Sequence, residues 1–398
     1  MANVSSSNGL EKRPKLRFLG FDEPWKATAF GDLVHEFSER TKEEDEDTLL
    51  SAAIEGMFLN TELFGHQRGA SNKGYKKIKN GTMVLSTQNL HLGNANVNQR
   101  FEHGMVSPAY KTYDITGCSV DLIAQWIKSE AAKRFFYNAT TVGASVCRRN
   151  VEWDTLYEQP LYLPCLDEQE KVAKFLALLS DRIYKQQQVV SALKKYKRGL
   201  LHRLISESLG FSHKQKWKCV KLGQLFKERS ERANGDEELL AVTIKAGVQR
   251  RTNLDLKDNS SEDKSNYKCV YKGDIAYNTM RMWQGASGAS MYDGIVSPAY
   301  TVITPRSPEH INILFWAYYF KYTPLVQTFQ KFSQGLTSDT WNLKFPQFAE
   351  ISVVYPPMEE QNKIANMLQT MDRRISSEEK RLDDLSRMKS SLYAQLFI

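Results

Sequence analysis

Two stretches of the chain share one heptad pattern of apolar and polar positions. The first covers residues 167–205, where apolar side chains recur every three or four positions, and a shift of 192 places the same pattern over the last forty residues. This period predicts a long helix with one narrow apolar stripe in each stretch. Because a narrow stripe needs a partner to bury it, the simplest partner for each helix is the other.

The predicted seams of the two helices can be aligned residue by residue. The seam of the first helix consists of Leu179, Ile183, Gln186, Val190, Leu193, Lys197 and Leu200. The seam of the second helix consists of Ile375, Glu378, Leu382, Leu385, Lys389, Leu392 and Leu396. If the helices are antiparallel and polar positions meet, Lys197 faces Glu378 and Gln186 faces Lys389, and both pairs of residue numbers add up to 575. A parallel pair would stack Lys197 on Lys389, which a half-buried seam disfavours.

The rest of the chain repeats at the same shift. Trp25 and Lys26 match Trp217 and Lys218, and the pentapeptide Val-Ser-Pro-Ala-Tyr occurs at 106–110 and again at 296–300. The chain is therefore a tandem duplication. Each copy combines short β-prone runs, such as residues 82–87 and 274–279, with helical segments, such as residues 120–136 and the aromatic-rich residues 311–332.

The predicted fold class is α/β (α+β), with two tandem globular units that are each followed by a long helix of an antiparallel coiled coil. The expected order is a disordered tail (1–14), a first unit (15–164), a helix (165–205), a polar linker (206–216), a second unit (217–357) and a helix (358–398). We expect the aromatic residues to form the cores of the units.

Composition restricts the functional classes without choosing one. The 398 residues contain no apolar run long enough to span a membrane and no apolar signal core at the start, so we expect a cytoplasmic protein with no membrane partner. The five cysteines show no metal-ligand spacing, which favours reduced thiols. The net charge of +8 and the pI near 9.0 are compatible with binding a polyanion.

The sequence contains no recognisable catalytic or metal-binding motif. It lacks a phosphate-binding loop, an HExxH motif, a nucleophile elbow and a glycine-rich dinucleotide turn. The acidic pairs at the two helix starts are explained by the helix dipole, which stabilises carboxylates in a first turn. We therefore predict no catalytic residue, no metal site and no cofactor in this chain.

Polar and basic loops recur at equivalent places in both units while their sequences differ, which favours DNA binding. In the first unit the candidate DNA-binding residues are Arg68, Lys73, Tyr75, Lys77, Gln88, Asn89, His91, Arg148 and Arg149. In the second unit they are Lys245, Gln249, Arg250, Arg251, Asn278, Arg281, Trp283, Gln284, Ser333, Gln334 and Thr340. Arg can bind guanine through two hydrogen bonds, Asn or Gln can bind adenine in the same way, and Lys mostly contacts phosphates.

The two helix openings carry a resemblance to a known family. Each opens with Pro-x-x-[Asp/Glu]-Glu-Gln-x-Lys-[Ile/Val], at residues 164–172 and 356–364. With the repeated pentapeptide and the run Tyr-Asn-Thr-Met-Arg-Met-Trp-Gln-Gly at 277–285, this pattern resembles the specificity subunit of type I restriction-modification systems. The first unit departs from that run at residues 85–93, which implies a different half-site.

The resemblance implies a function without chemistry in this chain. Each globular unit would be a target recognition domain that reads one half of a bipartite double-stranded DNA sequence, and the helices would be a spacer. Two adenine methyltransferase subunits would assemble on it and two restriction motor subunits can join, and those subunits would use S-adenosylmethionine, ATP and Mg. The alternative is a non-catalytic coiled-coil adaptor whose duplicated domains bind protein partners. An enzyme acting alone is a third interpretation.

Overall fold

The computed structural model describes residues 2–3, 12–65, 71–145, 148–210, 217–233, 237–244, 247–253 and 263–398. It contains two compact units, one formed by Met1–Gln187 with Lys380–Ile398 and the other by Gln188–Glu379. Each unit takes one predicted globular domain and part of both long helices. The first unit therefore combines two stretches that are distant in sequence, because the last residues of the chain belong to its core.

The first unit has an antiparallel sheet of four strands, in the order β4-β11-β8-β9. Its strands are β1 (Ala2–Asn3), β2 (Leu16–Arg17), β3 (Lys26–Ala29), β4 (Val34–Phe37), β5 (Leu50–Ala53), β6 (Gly56–Leu59), β7 (Lys76–Lys79), β8 (Met83–Ser86), β9 (Ala95–Val97), β10 (His103–Val106), β11 (Tyr110–Ile115), β12 (Thr140–Ser145), β13 (Arg148–Val151) and β14 (Pro160–Leu163). Its helices are α1 (Asn60–Phe64), α2 (Val120–Trp126), α3 (Glu130–Asn138) and α4 (Trp153–Glu158), with 3-10 turns at Phe30–Leu33 and Leu90–Leu92. The other strands form the antiparallel pairs β1-β2, β5-β6, β7-β10, β12-β13 and β3-β14.

The long helix α5 (Leu166–Gly210) precedes the second unit, and the long helix α10 (Met358–Leu396) follows it. The strands of the second unit are β15 (Lys218–Lys221), β16 (Phe226–Arg229), β17 (Leu240–Thr243), β18 (Gly247–Arg250), β19 (Lys268–Val270), β20 (Ile275–Asn278), β21 (Ser287–Ala289), β22 (Gly294–Val296), β23 (Tyr300–Pro305) and β24 (Ser352–Tyr355). Its short helices are α6 (Leu222–Leu225), α7 (Ile313–Tyr319), α8 (Thr323–Phe332) and α9 (Phe345–Ala349), with 3-10 turns at Arg251–Asn253, Met282–Gln284 and Pro308–His310. The sheet order β16-β23-β20-β21 reproduces that of the first unit, and the pairs β15-β24, β17-β18 and β19-β22 repeat three of its strand pairs.

The repeated fold confirms the predicted class, and it differs from the sequence predictions in detail. The run at 82–87 contains β8 and the run at 274–279 contains β20. Residues 120–136 form two helices because the Ser129 hydroxyl accepts a hydrogen bond from the Ala132 amide and starts α3 anew. Helix α5 continues to Gly210, so the start of the predicted linker is helical, and Ala2–Asn3 of the predicted tail forms a strand with Leu16–Arg17.

Aromatic side chains fill the cores of both units, as predicted. In the first unit Phe30 packs edge-on against Phe136, and in the second Phe226 packs in the same way against Trp316. Aromatic residues make up most of the largest fully buried side chains of each core.

The glutamine of the repeated helix opening explains why that opening recurs. Gln361 is fully buried, and its amide nitrogen donates to the carbonyls of Pro356 (2.9 Å) and His310 (3.1 Å). Its side-chain oxygen accepts from the amide of Asn312 (2.9 Å), the residue that caps α7. Gln169 makes the matching bonds in the first unit, to the Pro164 carbonyl and from the amide of the α2 cap. Each glutamine therefore fixes the start of a long helix to its own domain.

The long helices run antiparallel, as predicted. In the first unit the start of α5 and the end of α10 share one core, to which Val172, Leu176, Tyr393 and Leu396 contribute. In the second unit the end of α5 and the start of α10 share the other core. The seam positions predicted for both helices, within their described parts, are all buried or half-buried.

One ion pair between the long helices departs from the predicted register, and a second lies close to it. Lys197 forms its ion pair with Asp372 (2.5 Å), and their residue numbers add up to 569 instead of 575. Glu378, the predicted partner, pairs with Arg374 on its own helix. Lys194 pairs with Glu379 at 2.6 Å, and their residue numbers add up to 573, within two of the predicted 575.

Candidate nucleic-acid interface

The same tight turn follows the second strand of the chain within each four-stranded sheet. After β8 the chain forms the 3-10 turn Leu90–Leu92 and leaves it through Gly93, whose φ of 89° lies in the left-handed region. After β20 it forms Met282–Gln284 and leaves through Gly285, with a φ of 78°. Both glycines adopt a backbone conformation that other residues rarely accept. The two units therefore have turns of the same backbone conformation that carry different side chains.

In the first unit the exposed polar residues of this turn are Gln88 and Asn89, and Leu92 is also exposed. The backbone amides of both residues lie within hydrogen-bonding distance of the Ser86 hydroxyl, at 3.4 and 3.1 Å, which leaves the two side-chain amides facing solvent. An exposed side-chain amide carries the donor and acceptor that match an adenine edge. His91 is buried and lies behind the turn.

A second segment of the first unit, the hairpin β12-β13, carries Arg149. Its guanidinium lies over the ring of Tyr137, 4.2 Å from the centroid, and donates to the Thr140 hydroxyl (2.7 Å) and the Thr140 carbonyl (2.6 Å). The side chain of Tyr137 is 48% exposed and lies near the end of α3. The arginine is therefore held in one orientation by its stacking and hydrogen bonds.

In the second unit the turn is polar and partly aromatic. The Asn278 side-chain oxygen accepts from the amide of Met280 (3.0 Å), and the indole of Trp283 donates to the Met280 carbonyl (3.0 Å). Arg281 is exposed, and its guanidinium reaches the Gln284 side-chain oxygen at 3.4 Å. These contacts align the arginine and glutamine side by side on the outer surface of the turn.

Trp341 joins this turn to the loop that connects α8 to α9, and the sequence did not single it out. The rings of Trp341 and Trp283 meet edge to face with centroids 5.2 Å apart. The amide of Leu343 also donates to the Thr279 carbonyl (2.9 Å). The only signal in the sequence is an isolated tryptophan among residues 333–342, which are polar apart from Gly335 and Leu336.

The connecting loop contains three further predicted residues. The Ser333 hydroxyl donates to the Phe329 carbonyl (2.7 Å) and ends α8. Gln334 forms an isolated β-bridge with Asn342, and Thr340 closes a turn with Thr337 through its hydroxyl. The structure therefore brings Asn278, Arg281, Trp283 and Gln284 to one surface with this loop.

Three predicted residues are either paired or buried within their own unit. Lys77 pairs with Glu46 at 2.5 Å, and this contact raises the pKa of the lysine and holds that of the carboxyl at about 2. Arg250 pairs with Glu238 at 3.2 Å and lies over the ring of Tyr292. His91 is buried, and its ring Nδ1 has no hydrogen-bond partner among the described residues. We leave these three residues out of the proposed interface, and their DNA-binding role stays a prediction.

For the remaining predicted residues, the described contacts show no link to the two turns. Lys73 is exposed and Tyr75 half-buried just before β7, Gln249 is half-buried on β18, and Arg251 is half-buried at the next 3-10 turn. Arg68 and Lys245 lie outside the described residues, and only the backbone of Arg148 is described.

Other kinds of site were sought in the described part of the chain. No three His, Cys, Asp or Glu side chains gather there as metal ligands. Within the same residues, no helix has the length and apolar character needed to cross a membrane. The cysteines at 118, 165, 219 and 269 are free thiols, and Cys147 lies outside the described residues.

Comparison with known proteins places these features in a family. Residues 214–387 match the model of the family described as type I restriction modification DNA specificity domain. The S subunit of a type I restriction-modification system from M. genitalium aligns over 97% of this chain and 99% of its own, with a TM-score of 0.56 and 15% identity. A chain from a structure of the complex assembly and conformational transition of the type I R-M system aligns over 95% and 98%, with a TM-score of 0.57 and 13% identity.

Residues 214–387 therefore belong to the type I restriction-modification DNA specificity domains. Over nearly its whole length the chain also has the fold of an S subunit, with two globular domains and two long helices. The resemblance to the specificity subunit that the helix openings indicated is confirmed.

Proposed function

We propose that this chain is the DNA-reading subunit of a type I restriction-modification complex and that each domain reads one half of a bipartite target. One observation carries the proposal. The same backbone turn presents Gln88 and Asn89 in one domain and Arg281 with Gln284 in the other. Two domains that read different half-sites require the same backbone turn with different side chains.

The chemistry of the two turns gives the proposal its detail. The amides of Gln88 and Asn89 suit adenine edges, whereas a guanidinium beside an amide, as in Arg281 and Gln284, suits a guanine followed by an adenine. Arg149, fixed over Tyr137, is a further reader or phosphate contact in the first half-site. The sequences of the half-sites are then set mainly by the side chains of the turns.

The proposed partners supply the chemistry. Two methyltransferase subunits bind around the helical part of the chain, and motor endonuclease subunits join them. S-adenosylmethionine, ATP and Mg belong to those subunits, and this chain contributes no catalytic residue. A complex that acts on the DNA of its own cell would work in the cytoplasm.

The experiment compares the methylated sequence in cells that carry the wild-type system with that in cells carrying variants. Arg281→Ala with Gln284→Ala should relax the half-site of the second domain and leave the other half-site unchanged. Gln88→Ala with Asn89→Ala should do the reverse. Each lost two-bond base contact is worth about 1–3 kcal/mol of discrimination, which is roughly a tenfold to hundredfold loss of selectivity.

Lys73→Ala is the matched control, because this exposed lysine does not share a surface with either turn in the described contacts. It should weaken binding equally at all sequences or leave it unchanged. If both double variants weaken methylation at every sequence equally, the turns position the DNA and do not read it. If the purified complex shows no sequence-selective DNA binding, the chain is an adaptor and the proposal fails.

A further inference from the structure

Leu336 projects from the loop between α8 and α9 with its side chain fully in solvent. Its exposed fraction is 101%, the highest among the large apolar residues in the described part of the chain. The neighbouring loop residues are mostly polar, and an apolar side chain at such a tip gains nothing from the fold of its own domain. Single exposed apolar residues are common on proteins, so the place of this one within a candidate binding surface carries the argument.

The loop that carries Leu336 has a defined conformation. Gly335 has a φ of 137°, and a Cβ at this position would lie 2.5 Å from the Thr340 carbonyl oxygen. The Thr340 hydroxyl donates to the Thr337 carbonyl (3.0 Å) and accepts from the Thr337 amide (3.1 Å). Because glycine and this threonine pair are both needed for the turn, the leucine is held at its tip.

The same loop is attached to the turn that carries Arg281. The edge-to-face contact of Trp283 with Trp341 and the bond from Leu343 to Thr279 connect the two segments. A side chain held at the tip of this loop is therefore continuous with the proposed reading surface.

Two further exposed apolar residues lie on the joined segments. Met280 in the turn is 46% exposed, and Phe332 at the end of α8 is 39% exposed. The positions equivalent to them in the first domain, at a shift of 192, hold the polar residues Gln88 and Thr140. The first domain also exposes apolar side chains, and one of them, Leu92, is 48% exposed in its own turn. The position equivalent to Leu336 at the same shift holds the short residue Ala144. A long apolar side chain at this position is thus found only in the second domain.

We propose that Leu336 is a wedge that enters the base stack of the half-site read by the second domain. This proposal rests on the DNA-reading function proposed above and adds a specificity-determining residue to it. Apolar side chains that insert between base pairs unstack one step and bend the duplex, and flexible pyrimidine–purine steps yield most easily. The second domain would then select its half-site partly by how easily one step opens, and the first domain would select by contacts alone.

The test uses the complete complex and duplexes that contain the mapped target, with 2-aminopurine placed in turn at each position of the second half-site except the methylated adenine. Wild-type complex should raise the fluorescence at one step by severalfold. Leu336→Ala should remove most of this rise and weaken binding about tenfold, while Leu336→Met should retain both. A duplex with a one-nucleotide gap at that step should bind Leu336→Ala and wild-type complex equally well, because the step is already open.

Leu19→Ala is the matched control, since Leu19 is 76% exposed and lies in the first unit. It should change neither fluorescence nor affinity. Selective binding by wild-type complex without any rise in fluorescence overturns the wedge and leaves the reading function intact. Loss of methyltransferase assembly in Leu336→Ala, with normal fluorescence in the complex that still forms, assigns the leucine to a protein contact and also overturns the wedge. Absence of selective binding by wild-type complex overturns the reading function itself.

Discussion

Replacing Gln361 with alanine should unfold the junction between α10 and the second domain. The side chain is fully buried and makes three hydrogen bonds, to the carbonyls of Pro356 and His310 and from the amide of Asn312. Alanine removes all three at once. The amide of Asn312 and two carbonyls then lose a partner in a site that the fold closes to water.

The expected loss can be worked out from these three groups. A buried polar group left without a partner costs about 1–3 kcal/mol. Taking the lower end for three groups, because some water will enter the space left behind, gives a loss of about 3 kcal/mol in the free energy of unfolding. For a domain of this size, that loss lowers Tm by about 6–12 °C.

Calorimetry and urea unfolding of the full chain measure the effect, and calorimetry separates the two units if they unfold independently. Gln188→Ala is the matched control, because Gln188 is an exposed glutamine on the long helix α5 in the same unit. It should change Tm by less than about 1 °C. Gln361→Glu adds a second readout. The glutamate keeps the acceptor for Asn312, and only its protonated form can donate to a carbonyl, so this variant should regain stability as pH falls.

The reasoning fails if Gln361→Ala unfolds within the error of the wild-type chain. It also fails if Gln361→Glu loses stability with falling pH more steeply than wild-type protein. Either result would mean that the repeated glutamine is not what fixes the long helix to its domain.

Other expectations concern charged groups. Arg17 and Glu168 are both buried and joined by two hydrogen bonds of 2.8 Å, so Arg17→Met should cost about 3–5 kcal/mol in urea unfolding, and adding Glu168→Leu should recover most of it. Burial and the nearby Lys197 lower the pKa of Lys321 to about 8, below its ordinary value of 10.5. The unfolded chain therefore binds more protons between these values, and stability should rise from about pH 8 to pH 10.5. Lys321→Met should stabilise the protein at pH 7 and abolish this rise; an unchanged pH profile would contradict the role of burial.

The tandem duplication could be predicted from sequence because the patterns that indicate it lie within single segments of the chain. The heptad seams and the run at 82–87 depend on the spacing of apolar residues in one segment, and the structure has α5, α10 and β8 at those places. Local pattern was sufficient for these features. The DNA-binding role of the loops stays a prediction, and the structure shows only that the turn after β20 brings Arg281 next to Gln284.

The features that the sequence missed depend on contacts between distant segments. Lys197 was matched to Glu378 by charge along the seam, but its ion-pair partner is Asp372. Lys77 stays a predicted DNA-binding residue, and the sequence did not indicate that the fold brings Glu46 to 2.5 Å from it. Trp341 gained its role only through its contact with Trp283.

In both domains, the residues that fix the long helices are the same, and the residues exposed on the turns differ. Gln169 and Gln361 make matching bonds to the preceding proline carbonyl and to the cap of the next helix, so both domains hold the long helices in the same way. The turns after β8 and β20 share a backbone and carry unrelated side chains. Because the anchoring glutamines and the turns are different segments, the side chains of a turn can change without loosening the helices. Under the proposed function, a new half-site would require only new side chains on the same turn, and the surface proposed to bind the partner subunits would stay the same.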